Sequence, residues 1–269
     1  MKTTRHIVAA AIAAVQSMPG WAQVAADKQA LARIAKNPFA DAISVPFVYD
    51  VNFGGGLGSK TQQVLNVQPI IPFDVSEDWS VITRTIVPLI AQPGLAGSSG
   101  ARGLGDIQFA ALLTPARVGR LDWGVGPVFQ LRSASNPALG QGKWGVGPMA
   151  AAIWAGDQWT LGAKVNNLWS FAGERGRPNL NQMQFQPVAT YFFRDTPGRY
   201  LTSEPTFTAI WKANGSGRWT VPLSLGIGQL VKFGNQPVDL QASASYTAIR
   251  PSDAAVWTAE LQIQFLFQK

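Results

Sequence analysis

The chain has 269 residues, 46% of them hydrophobic and only 14% charged, whereas about 25% charged is usual in soluble domains. It contains no cysteine, which excludes disulfides and thiolate chemistry. Setting Lys2 and Arg5 aside as part of a leader leaves 20 basic against 15 acidic residues, a net charge of +5 spread thinly along the chain. Such scatter, without basic clusters interleaved with aromatics, argues against a nucleic-acid partner.

Residues 1–22 read as an export signal. Lys2 and Arg5 lead, an apolar run follows from Ile7 to Val15, and Gly20-Trp21-Ala22 fits a cleavage site. Residues 23–41 form a short helical segment, because in DKQALARIAK the side chains of Leu31, Ile34 and Ala35 share one face. Asp27 fits an N-cap there, and Pro38 lies shortly beyond. After the leader no run of roughly 18 apolar residues appears, so a helical membrane span is not expected.

From Ala42 to the end of the chain, residues 42–269, the period changes to two. In Ala42–Phe53 the apolar set Ile43, Val45, Phe47, Tyr49, Val51 and Phe53 alternates with polar residues that include Asp50 and Asn52. Gln62–Phe73 sets Asn66 and Gln68 on its polar face, and the next segment has Arg84 opposite Trp79, Val81, Val87 and Leu89. The polar faces continue with Asp106 and Gln108, then Asp122, Gln130 and Arg132, then Lys164 and Asn166, then Gln184. Later segments add Glu204, Arg218, Asp239 and finally Glu260 in WTAELQIQFLFQK. Alternation of this kind describes strands with one oily and one wet face.

The connections supply a second pattern. GGGLGSK, QPGLAGSSGARG, SASNPALGQG, FAGERGRPNLN, KANGSG and RPSDAA tend to be longer than the intervening turns near Asp74, Val118, Gly156, Thr196 and Gly234. Alternating long loops and short turns are the signature of a transmembrane barrel, and the count is about 12 strands with both termini periplasmic. The expected fold is therefore an all-β transmembrane antiparallel β-barrel with a short N-terminal helix.

Tryptophan placement agrees with this. Trp79, Trp123, Trp154 and Trp159 fall near the periplasmic strand ends, and Trp144, Trp169, Trp211, Trp219 and Trp257 near the outer ends. Indole prefers the membrane interface, where its ring is sheltered and its N–H remains wet. A soluble sandwich core would place many of them at strand centres. The oily faces then meet outer-membrane lipid and the polar faces line a lumen that holds a small solute. Neither composition nor period sets an oligomeric state.

The stretches NPFADAISVPF, LNVQPIIPF, DWSVITRTIVPLI, GLGDI, WGVGPVFQL, GKWGVGP, VNNLWSFAG and RWTVPLSLGIG, spread over nearly the whole chain after the leader, resemble a bacterial outer-membrane family named for the MetA pathway of phenol degradation. The resemblance implies a barrel and the uptake of small, aromatic or hydrophobic compounds. It supplies no site motif to carry over.

The chemical alternatives are narrow. GGGLGSKT, at Gly54–Thr61, has Ser59 where a phosphate-binding loop needs glycine, and a strand rather than a helix follows. His6, the single histidine, lies in the leader, so Ser-His and Cys-His catalysis and the usual zinc sites are excluded from the remainder. No cofactor, metal or catalytic residue is expected. Two readings of the charged lumen stand side by side: a selectivity constriction, and internal ion pairs that hold the barrel round. A structural or adhesion barrel acting through its surface loops is the alternative to a channel. The helix at 27–36 either plugs the lumen or lies in the periplasm. Finally, Pro69, Pro72 and Pro88 fall inside proposed strands, where each removes a ladder donor. They either open a lateral exit in the wall or sit at displaced strand ends.

Overall fold

The computed structural model describes residues 19–58, 60–94, 99–117 and 119–269. The leader reading of residues 1–22 falls almost wholly outside them. The elements are α1 (Pro19–Ala35), β1 (Ala42–Phe53), β2 (Thr61–Val67), β3 (Ile70–Asp74), β4 (Trp79–Gln92), β5 (Ala101–Leu104), β6 (Gln108–Pro115), β7 (Leu121–Gln130), β8 (Lys143–Ala155), β9 (Trp159–Gly173), β10 (Asn181–Phe192), β11 (Arg199–Ser203), β12 (Phe207–Ile210), β13 (Trp219–Phe233), β14 (Gln236–Ile249) and β15 (Trp257–Gln268). No helix among the described residues is long and apolar enough to cross a membrane.

The 15 segments form one antiparallel sheet closed on itself, and they amount to 12 walls because β2–β3, β5–β6 and β11–β12 are each one interrupted strand. Closure is made by β1 and β15, which pair along their whole length from Ala42↔Gln268 to Phe53↔Trp257. The last strand therefore satisfies the backbone groups that an open edge would leave in lipid. Its odd residues Trp257, Leu261, Ile263 and Phe267 are exposed on the outer surface.

Each interruption carries a proline or a bulge. Between β2 and β3, at Gln68-Pro69, the register against β4 runs on unshifted from Val67↔Val87 to Ile70↔Arg84. Gln68 N–H donates to Pro46 O at 2.9 Å and Thr85 N–H donates to Pro69 O at 3.1 Å, so the wall stays hydrogen-bonded on both sides. Pro72 and Pro88 lie inside β3 and β4 rather than at turns. Opposite Pro88 the pairing moves from Ile86↔Gln108 to Leu89↔Leu104, which leaves one extra residue in the Gly105-Asp106-Ile107 stretch, a bulge. Glu204-Pro205-Thr206 separates β11 from β12 without a shift, since the register runs on from Ala189↔Ser203 to Phe185↔Phe207 and from Thr202↔Gly226 to Thr208↔Thr220. The single segments expected at Gln62–Phe73 and Tyr200–Trp211 are thus each two strands, because a prolyl nitrogen donates nothing to the ladder.

Helix α1 begins upstream of the expected Asp27, with Pro19 at its start, where a missing N–H costs nothing. It enters the barrel at the end that carries the short turns, where Arg33 reaches Gly156 and Gln29 reaches Gly198. Leu31, Ala32 and Ala35 pack against Phe192, Tyr200, Leu230 and Leu266. Past the helix, Phe39 packs with Ile82, Leu112, Val128, Met149 and Ile153. The two apolar clusters within the lumen are therefore built around the N-terminal segment.

Candidate functional site

Strand parity decides what faces the lumen. Asp50, Asn66, Gln68, Arg84, Asp106, Gln108, Lys164, Asn166, Gln184 and Glu260 all border one cavity of about 370 Å³, together with Ile86, Pro88, Val128 and Met149. A second cavity of about 170 Å³ lies against Lys36, Pro38 and Phe39. A third of about 150 Å³ lies beside Thr202, Glu204, Ser224 and Gln241. Gln68, Arg84 and Gln186 border all three, so they mark the level at which the lumen narrows. Above this level is polar space; below it is the docked N-terminal segment.

The carboxylates in the lumen have donors. Asp50 accepts from Asn66 Nδ2 at 3.3 Å. Glu260 accepts from Ser243 Oγ at 3.1 Å and Gln241 Nε2 at 3.4 Å. Asp50 and Glu260 are direct cross-strand partners, which makes one wall of the lumen acidic. Glu204, in the break between β11 and β12, accepts from Thr202 Oγ1 at 2.8 Å and from Lys36 Nζ at 3.1 Å. Arg84 Nη2 donates to Gln68 Oε1 at 2.5 Å.

Asp106 has a second role beside that cavity, and the remaining residues expected to line the lumen do not border it. Asp106 sits in the bulge and holds a loop, accepting from Ala134 N at 3.2 Å and Gln141 N at 2.5 Å. Asp122, near the periplasmic end, accepts from Asn37 Nδ2 at 2.7 Å and Gly119 N at 2.7 Å. Asp239 is fully buried and accepts from the Tyr200 hydroxyl at 2.6 Å. Asn52 accepts from Thr258 and donates to Gln62. Gln130 is buried, with its Nε2 unpartnered. Arg132 and Arg218 are corrections. Arg132 lies beyond β7 and pairs with Glu174 at 2.6 Å, while Arg218 precedes β13 and donates to Ala213 O. Both sit in outer loops rather than facing carboxylates across the wall, since period two runs on past a strand's end without marking it.

The plug is held by polar contacts that the strand pattern could not reveal. Gly198 N–H donates to Gln29 Oε1 at 2.9 Å, Gln264 Nε2 to Ala35 O at 3.2 Å, and Arg33 to Gly156 O. Arg33 also stands over the Phe192 ring at 5.4 Å. Lys36, only 5% exposed, donates to Glu204 and Gln241 and lies 4.8 Å from the centroid of Tyr200. Tyr200 in turn occupies the space left by its cross-strand partner Gly228, where any Cβ would overlap the phenol ring. The inward glycines of LGIG, Gly226 and Gly228, were the available signal for this large inward neighbour.

On the outer surface the nine tryptophans Trp79, Trp123, Trp144, Trp154, Trp159, Trp169, Trp211, Trp219 and Trp257 are 37–47% exposed. Trp79 and Trp123 meet edge to face at 6.3 Å, as do Trp211 and Trp219 at 5.9 Å. Between them lie exposed Leu89, Leu113, Val125, Leu223, Leu225 and Leu261. An apolar belt with aromatic rims is the surface a bilayer requires.

Solved structures share this fold. An outer-membrane channel from Pseudomonas putida F1 is similar over 85% of this chain and 96% of its own, at 14% identity and a TM-score of 0.63. The fold is that of an outer-membrane barrel. The porin NanC is also similar, over 85% of this chain and 100% of its own, at 9% identity and a TM-score of 0.53. No protein-family profile matches the chain, and no curated protein matches it either.

Proposed function

We propose that this barrel is an outer-membrane channel for passive uptake of small solutes, with an axial path through the lumen. The observation that carries the reading is the form of the closure. The outer half holds a polar cavity of about 370 Å³, and the periplasmic half is filled by an N-terminal segment rather than by the wall's own side chains. Side chains alone fill a barrel of about eight strands and sixteen or more leave a wide pore, so twelve walls are wide enough to hold a narrow channel. The channel in Pseudomonas putida and the porin NanC have the same fold, which agrees with the reading. So does the resemblance to the phenol-degradation family, which points to aromatic or hydrophobic solutes.

The unshifted β2–β3 register against β4 favours the lumen axis over a gap at Pro69 as the solute route. Planar-bilayer recording and liposome solute flux test the proposal. Purified protein that inserts yet gives neither current nor flux, even after removal of the segment through Phe39, overturns it.

A further inference from the structure

Among the charged groups of the lumen, one cation is left over. Lys164 makes no hydrogen bond or ion pair among the described residues, although it projects from the middle of β9 into the barrel. Arg84 borders the same two cavities, and its hydrogen bond goes to the neutral Gln68 rather than to a carboxylate. Both cations feel the Glu204 carboxylate, which is itself bonded to Lys36, so one buried carboxylate stands against three cations and an arriving anion relieves the remaining cost.

The strands between β4 and β9 explain why both cations reach the same space. The wall from β6 through β8 presents Ala110, Val128, Met149 and Ala151 inward, with Gln108 and Asp106 at its outer margin, the Asp106 carboxylate being taken up by Ala134 and Gln141 N–H groups. The first four form an apolar shelf with a cation at each side. Asn166, two residues from Lys164 and buried, has a side-chain amide atom without a partner. That atom is Oδ1, while Nδ2 donates to Gln184 Oε1 at 3.3 Å, so the free acceptor faces the cationic side of the lumen. The acidic pair Asp50 and Glu260 stands on the separate β15–β1 wall, already supplied with donors by Asn66, Ser243 and Gln241. The lumen is thus polarised across its width, and the cationic side carries the apolar surface.

We propose that the outer cavity is a binding site for a small monocarboxylate with an apolar body. Lys164 and Arg84 hold the carboxylate and the Val128–Met149 shelf takes the apolar part. A cavity of about 370 Å³ is large enough for such a ligand, since small-molecule sites span roughly 300–1,000 Å³. A second carboxylate on the ligand would meet Asp50 and Glu260, so dicarboxylates are disfavoured. This inference rests on the reading of the barrel as a solute channel, and it names the solute's chemistry.

Equilibrium binding in detergent, with benzoate as the probe, separates the two ideas because it needs no flux. The refolded full chain should bind benzoate roughly tenfold more tightly than benzyl alcohol or phthalate. Raising salt should weaken the preference. The doubly substituted R84Q/K164Q chain should lose the preference while still binding benzyl alcohol. Equal affinities for benzoate and benzyl alcohol in the unsubstituted chain overturn the site, and that comparison stands even where the substituted chain fails to fold. An unchanged benzoate preference in a folded R84Q/K164Q chain overturns it as well. Binding without any flux would uphold this site and refute the channel; flux of neutral solutes without benzoate preference would do the reverse.

Discussion

Lys36 Nζ lies 3.1 Å from Glu204 Oε1, joining the N-terminal segment to a break in the barrel wall 168 residues away. The lysine is 5% exposed and the glutamate 30%, so the pair stands largely out of water. Replacing Lys36 with Met leaves Glu204 without its cation. A buried pair broken on one side costs about 3–5 kcal/mol, and partial exposure of Glu204 reduces this to about 2 kcal/mol for plug docking. Trypsin cleavage at Arg33 should become readily detectable in Lys36→Met. It should be partly suppressed again when Glu204→Gln is added, because the orphan charge is then gone. Equal protection in all three chains would show that the pair does not hold the plug.

Lys36 also sets a pH expectation. Burial disfavours its ammonium form, but the Glu204 carboxylate, with Tyr200 and Asp239 beside it, holds its pKa above the ordinary lysine value. A raised folded pKa means that the stabilisation is fully present below the unfolded value of about 10.4 and fades only as pH rises through the folded one. Docking of the N-terminal segment, read as protection of Arg33 from proteolysis, should therefore stay constant from about pH 7 to about pH 10. A loss of protection within that window would place the Lys36 titration lower than this geometry allows.

Phe39 tests the apolar half of the plug. Only 4% exposed, it packs with Ile82, Leu112, Val128, Met149 and Ile153. Phe39→Ala should weaken docking of the segment by about 3 kcal/mol, the low end for removing a buried aromatic. The strands do not depend on it, so heat-resistant migration of the barrel in gels should persist while conductance increases. Loss of barrel stability itself would mean that the segment is part of the fold's core.

Gly228 gives a test directed at the wall. A Cβ there meets the ring of Tyr200, whose hydroxyl donates to Asp239 and whose face lies against Lys36. Gly228→Val should displace Tyr200 and loosen the plug in the same protease assay, with a cost of about 1–3 kcal/mol from overpacking. Tyr200→Phe, which keeps the ring and deletes the bond to Asp239, should have the smaller effect. If Gly228→Val leaves Arg33 as protected as before, the Tyr200 contact is not needed for docking.

Much of this molecule was legible in its sequence because a barrel in lipid has a strict local code. Alternation at period two fixed which side of β1, β9 and β15 meets lipid. The tryptophans marked the rims, and alternating loop lengths gave twelve walls. These features depend on neighbours one or two residues apart and on the single requirement that outward faces be apolar. The same parity put Asp50, Asn66, Arg84, Lys164 and Glu260 on inward faces, and these five border one cavity.

The prolines were only half legible. Sequence showed the missing donors at Pro69, Pro72 and Pro88. Whether the wall splits or merely bulges depends on carbonyls and amides of neighbouring strands, such as Pro46 O and Thr85 N. Arg132 and Arg218 were misplaced for a related reason, since side-chain alternation carries no marker of where hydrogen bonding stops.

Only the tertiary structure decided what the N-terminal helix does. Its amphipathic face suits an aqueous surface as well as a barrel interior, and its partners Tyr200, Glu204 and Gln264 lie more than 160 residues downstream. The two lumenal cations were visible as inward residues, but not that Glu204 bonds to Lys36 while its charge is shared with Lys164 and Arg84. Charge pairing in a closed lumen depends on distances across the barrel, and a periodicity along the chain contains none of them.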